Sequence, residues 1–255
     1  MSLLFPHMSD SPESSQTMGG LSYGVIAFVV LPFTFTLFFF QRNPEEVYVV
    51  LEYLYQGLNF AMMLAIFRSY LQDSWLNVSI HPKEVLTVSL GAAALISIGY
   101  IAFTAAALLG LFDWAQIVFL GALPMTGIEL MVLPGQFALL GGLPAMLVLV
   151  TLGPITTACM FYATAFAPVC VKGHRVLAYG VLAALLAVPR IITWFTVWGG
   201  WKEVALYLAQ LPIHFLACWT YQKTNTIWAP IFTHVLVNLF CCGTLCLLKS
   251  TGIVG

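Results

Sequence analysis

Long apolar runs separated by short polar breaks set the pattern of this chain. The runs fall at roughly 21–41, 47–67, 85–111, 143–166, 176–198, 204–221 and 226–248. Runs of about 20 apolar residues match the length of a helix across a bilayer core. The breaks carry helix-boundary chemistry: Gln41-Arg42-Asn43-Pro44-Glu45-Glu46 after the first run, Arg68 after the second, and Ala167-Pro168 after the fourth, which Gly153-Pro154 also interrupts. The longest hydrophilic stretch, 69–84, reads as a loop, and its Asn77-Val78-Ser79 is a formal glycosylation sequon. Asp113, Pro124, Glu129, Pro134 and Gly135 break up 112–143, which reads as one span or a re-entrant pair. The pattern therefore predicts an all-α fold, a polytopic membrane helix bundle of seven or eight spans.

Composition strengthens that expectation. Of 255 residues, 61% are hydrophobic and 7% charged, and mean hydropathy is +0.96. Soluble domains carry about 25% charged residues. Nine Lys and Arg with ten Asp and Glu cannot cover the surface of a soluble globule of this size. The lipid bilayer is the expected partner, with an integral, multi-pass location in the cell membrane. A net charge of −1 leaves no basic patch for phosphates, so no nucleic acid is expected to bind. Residues 1–20 are Ser-rich without Lys or Arg; they read as a disordered N-terminal tail, not a secretory signal. Residues 21–255 form the single membrane-embedded helical domain. With eight alternating spans, Arg42, Lys172, Arg175 and Lys223 oppose Arg68, Lys83, Lys202 and Lys249, an even split that gives no orientation.

Polar groups at membrane depth are expensive and mark candidate sites. Glu52, Gln56 and Asn59 form a stripe on the second run, readable as a helix–helix hydrogen-bonding seam or as a cavity lining. Glu129 and Arg190 fit a structural ion pair. Gln210 with His214, and His234 with Asn238, are i, i+4 pairs on the last two runs, and the polar turn between those runs makes the pairs potential neighbours. Imidazole can bind metal or act as a base, and an Asn amide can stabilise an oxyanion. Satisfied interhelical hydrogen bonding is the plainer role, and for His214 the preferred one. The six cysteines include no CxxC pair, which argues against a structural zinc or redox motif.

The setting of His234 changes its weight. Tyr221-x-x-Thr224-x-x-x-Trp228-Ala229-Pro230-Ile231-x-x-His234-x-x-x-Asn238 resembles the last motif of the CPBP family, the CAAX-protease and bacteriocin-processing (Abi) intramembrane proteases. The likeness is close over the last forty or so residues and looser over a core of about 143–248. It implies a helical fold with a polar intramembrane cavity, and an intramembrane metalloendopeptidase acting on a membrane peptide or protein. It further implies zinc or another divalent metal, with His234 as a ligand, and His234 and Asn238 as catalytic residues.

Two motifs of that family are missing. The Glu pair followed by Arg should fall at Ala167-Pro168-Val169-Cys170-Val171-Lys172-Gly173-His174-Arg175. Arg175 matches the motif Arg, but Cys170 with Val171, or Val171 with Lys172, stand where the carboxylates belong. Val cannot activate water. The expected second His is absent from 176–198. Glu52 and Glu129 are the carboxylates that tertiary folding could bring to the cavity. Three functions stay open: a protease with a relocated acid, a catalytically silent relative that binds a peptide, lipid or partner helix in the same cavity, and a small transporter.

Overall fold

The computed structural model describes residues 8–27, 44–108, 148–197 and 201–250; apart from 8–13 and short turns these are helical, with no strand among them. Helix α1 spans Ser14–Val25, α2 Pro44–Ile80 and α3 Pro82–Leu108. A continuous helical run over 148–171, α4, is built of Val148–Leu152, Gly153–Thr157, Ala158–Phe166 and Ala167–Val171. Arg175–Val197 forms α5, Trp201–Thr224 α6 and Trp228–Ser250 α7. Pro82–Ala102 and Val150–Val171 are long and apolar enough to cross a membrane, and Arg175–Val188 and Trp228–Phe240 are shorter apolar stretches.

Helix α7 is the hub. It packs most extensively on α3, and also touches α2, α4 and α6. The main core joins Phe67 and Tyr70 of α2, Tyr162 and Phe166 of α4, Leu182 of α5, Ala217 and Tyr221 of α6, and Ile231 and Val237 of α7. Its aromatic rings meet edge-on, as Phe166 does with Tyr179 at 5.0 Å between centroids, the geometry the ring quadrupole favours. Helix α1 crosses the bundle at Gly20. A Cβ there would come within 2.8 Å of the Phe67 ring and would also strike Thr164, so only glycine fits the crossing.

Four expectations are corrected. Residues 8–13 and α1 are ordered, not a disordered tail: Met8 is 1% exposed and lies within the core. Glu13 begins α1 with a reciprocal capping box to Gln16. The presumed loop 69–84 is mostly helix, because its polar residues are docking groups. Ser74 and Asn77 bond the turn between α6 and α7, and Pro82, which lacks an N–H, starts α3 after the single break at His81. Asn77 of the sequon donates to the Asn225 carbonyl, and Val78 is buried. Gly153-Pro154 does not interrupt the fourth run. Wider i→i+5 turns on both sides absorb the missing N–H, and the helix passes Pro168 to end at Val171.

The fourth correction concerns charge. Helix α2 ends, α3 begins, α4 ends, α5 begins and α6 ends at one pole of the bundle, as the Trp75–Trp228, Ser89–Ala229, Cys170–Gln222 and Tyr179–Gln222 contacts require. Lys83, Lys172, Arg175 and Lys223 therefore stand at this same pole, with Arg68 a little below it. Lys202 and Lys249 stand at the opposite helix ends. The even split assumed that Lys83 and Lys172 face opposite sides, but α3 runs away from this pole and α4 runs back to it.

Candidate functional site

Three rings from three helices meet at the bundle centre. The Tyr162 hydroxyl lies 2.6 Å from His214 Nδ1 and 2.7 Å from His234 Nε2. Ring centroids are 5.9 Å apart for Tyr162–His214, 5.5 Å for Tyr162–His234 and 5.8 Å for His214–His234, all edge-on. The hydroxyl carries one proton, so it donates to one imidazole and accepts from the other. The two histidines therefore hold complementary tautomers at the nitrogens that face Tyr162: one N–H and one lone pair.

Local sequence explains the convergence. In Ala158–Phe166 the backbone bonds reach five residues back, as the Ala167 N–H does to the Tyr162 carbonyl, and Thr164 Oγ1 donates to the Cys159 carbonyl at 2.7 Å. Each wide turn rotates the following side chains and sets Tyr162 towards α6 and α7. Pro212 within α6 removes one backbone donor just ahead of His214. Thr233 folds its hydroxyl back to the Ala229 carbonyl at 2.9 Å and so presents no free polar group beside His234.

A second polar cluster lies at the pole, around the turn joining α6 to α7. Asn225 has φ 51°, the left-handed conformation that Asn tolerates and that ends α6. Its Oδ1 accepts the backbone N–H groups of Ser9 and Asp10 at 2.7 and 2.8 Å, and its Nδ2 donates to Ser9 Oγ at 2.8 Å. Tyr70 and Ser74 donate to Asp10 Oδ2, each at 2.9 Å, and the Tyr70 and Tyr221 hydroxyls bond one another. Thr226 donates to the Ser74 carbonyl, and the Trp228 indole to that of Leu71, both at 2.9 Å. Burial raises the Asp10 carboxyl above its usual range, partly offset by the hydroxyls of Tyr70 and Ser74.

The sequence-derived site residues fare differently. His234 and Asn238 are both fully buried on α7. His214 faces His234 through Tyr162, the interhelical hydrogen-bonding role preferred for it from sequence. Arg175 opens α5 after the positive-φ Gly173, half-exposed and outside the ring contacts of Tyr162. The Glu52 backbone lies on α2, but the side chains of Glu52 and Arg190, and all of Glu129, lie outside the described residues. Of the second-run stripe, Asn59 is described: it is buried and accepts the Tyr23 hydroxyl at 2.7 Å, a helix–helix seam contact. Where the family's Glu pair would sit, Cys170 is buried and its Sγ accepts from Gln222 Nε2 at 2.9 Å. Tyr162 itself was missed. A phenol in a mostly apolar run was the one weak signal, since a buried hydroxyl needs a partner.

The donor set does not fit the metal that the resemblance implies. Structural or catalytic zinc takes three or four protein ligands. Here two imidazoles converge on a phenol at hydrogen-bond distance, and no group of three or more His, Cys, Asp or Glu forms among the described residues.

The class that fold and site define is an all-helical protein with a buried Tyr–His–His centre and a polar clasp at one pole. No protein-family model, curated protein or solved structure matches the chain.

Proposed function

We propose that this chain is a multi-pass membrane protein of the CAAX-protease-like type that no longer hydrolyses peptides and serves as a helical binding scaffold. The observation that carries the reading is the engagement of both histidines by Tyr162. A hydrolytic site needs those nitrogens for water or metal. Here they close a protein hydrogen-bond network instead, and the first-motif position is a buried thiol bonded to Gln222.

Membrane residence is supported by length and surface. Helix α2 has 37 residues, which at 1.5 Å per residue is about 55 Å, longer than the hydrocarbon core of about 30 Å. Its apolar part fits within the bilayer and its last turns project beyond. Leu90, Leu95, Ile98 and Ile101 of α3 are exposed, as lipid-facing residues would be. The cation-rich pole carrying Lys83, Lys172, Arg175 and Lys223 then faces the cytoplasm by the positive-inside rule.

The test is hydrolysis of a membrane-peptide library by detergent-purified protein beside a His234→Ala variant. Equal, background-level cleavage is the expected result. Cleavage that disappears in the variant overturns the silent reading in favour of a protease with its acid at Glu52 or Glu129.

A further inference from the structure

A groove of about 640 Å3 runs along α2 towards the cationic pole, with Ile155 of α4 and Trp228 of α7 also in its wall. That volume is in the range of small-molecule sites, roughly 300–1,000 Å3. Phe60, Leu64 and Arg68 fall at i, i+4 spacing, so they line one face of α2 in order of depth. Leu71, Trp75 and Trp228 close the polar end. The wall there is rigid: Trp228 Nε1 donates to the Leu71 carbonyl at 2.9 Å, and the Trp75 and Trp228 rings meet edge-on at 4.9 Å.

The groove thus grades from apolar depth, through one guanidinium, to an indole pair. Tryptophan favours the headgroup level of a bilayer, because its ring is apolar and its N–H polar. Arg68 is exposed, and among the described residues no hydrogen bond or ion pair engages it. A cation above the apolar depth of the trough, with no protein counter-ion among the described residues, matches an anionic amphiphile in both shape and charge.

We propose that this groove binds an anionic phospholipid of the cytoplasmic leaflet, one acyl chain along Phe60 and Leu64 and the phosphate on Arg68. The inference rests on the membrane reading above. That leaflet is rich in anionic lipid, and a guanidinium pairs with phosphate through two parallel N–H bonds. The indoles of Trp75 and Trp228, poleward of Arg68, flank the headgroup beyond the phosphate. The lipid would sit where α2 meets Ile155 of α4 and Trp228 of α7.

The experiment uses the full chain extracted from membranes in detergent and titrated with phosphatidylglycerol or phosphatidylcholine, with bound lipid counted by native mass spectrometry. Phosphatidylglycerol should be retained about fivefold more than phosphatidylcholine, the contribution expected of one cation near an anionic headgroup. Arg68→Gln should bring phosphatidylglycerol down to the phosphatidylcholine level. Arg68→Lys should keep most of the preference, and Leu64→Trp, which fills the trough, should lower both lipids. Equal retention of the two lipids by the native chain, or undiminished phosphatidylglycerol on Arg68→Gln, overturns the proposal. So does displacement of the lipid by a lipidated peptide with a free C-terminal carboxylate at lower concentration. A chain released from membranes by alkaline carbonate overturns the membrane reading and this proposal together. A chain retained in the pellet that fails the lipid arms overturns this proposal alone.

Discussion

His214 and His234 lie on consecutive helices, their ring centroids 5.8 Å apart, and share the single hydroxyl of Tyr162. Because one hydroxyl serves both rings, as donor to one and acceptor from the other, deleting it leaves two buried nitrogens facing an apolar edge. Tyr162→Phe should therefore destabilise the protein by about 1–3 kcal/mol, the cost of an unsatisfied buried polar group. Thermal unfolding in detergent measures it. The loss should be non-additive with His214→Leu, since both changes remove the same bond. Full additivity would show that the three rings do not act as one network.

The Asn225 clasp separates backbone from side-chain effects. Asn225→Gly keeps the left-handed turn and removes the bonds to Ser9 and Asp10, so residues 8–13 should become sensitive to limited proteolysis while the bundle unfolds near its native temperature. Asn225→Ala should show the same proteolysis with a further loss of about 1–2 kcal/mol from forcing a Cβ into that conformation. Equal stability of the two variants would refute the turn's strain.

Docking of residues 8–13 should depend on pH through Asp10. Burial raises its carboxyl, so the docked state holds the proton more tightly than the free segment does. Docking is strongest below the ordinary carboxylate value, weakens as pH climbs from there through the raised value, and is weakest at neutrality. Proteolytic protection of the segment should be greater at about pH 4.5 than at pH 7. Asp10→Asn should flatten the difference and give strong protection at both. Protection that grows with pH would contradict this sign.

With the chain in a membrane as proposed above, the pole geometry predicts labelling. Single cysteines replacing Ser9, Lys172 and Lys223, placed in a background lacking the native cysteines, should react with an impermeant maleimide from the same side of sealed vesicles. Cysteine at Lys202 or Lys249 should react from the other side. Labelling of positions 172 and 223 from opposite sides would refute the shared pole.

Periodicity and hydropathy carried most helix positions, because apolar burial is written locally. The runs at 85–111, 176–198, 204–221 and 226–248 lie within a few residues of the observed helices. What was not legible depended on distant partners. Ser74 and Asn77 look like loop residues until the turn at Asn225 is placed against them, and the first twenty residues look untethered until Asp10 meets Tyr70. The proline at 154 looks like a helix break because hydropathy contains no sign of a widened turn. His234 and Asn238 stood out through their motif. Tyr162 did not, since one hydroxyl in an apolar run has no spacing signature.

The bond from Ser9 to Asn225 joins positions 216 apart in the chain. Its acceptor exists only once α6 has ended and the turn into α7 has formed. During synthesis the leading segment must therefore wait, undocked, while every intervening helix is made. Closing so long a loop costs entropy before any contact returns it, which makes the clasp one of the last steps of folding. A docked Met8 then reports that α6 has ended and the turn at Asn225 has taken its left-handed form.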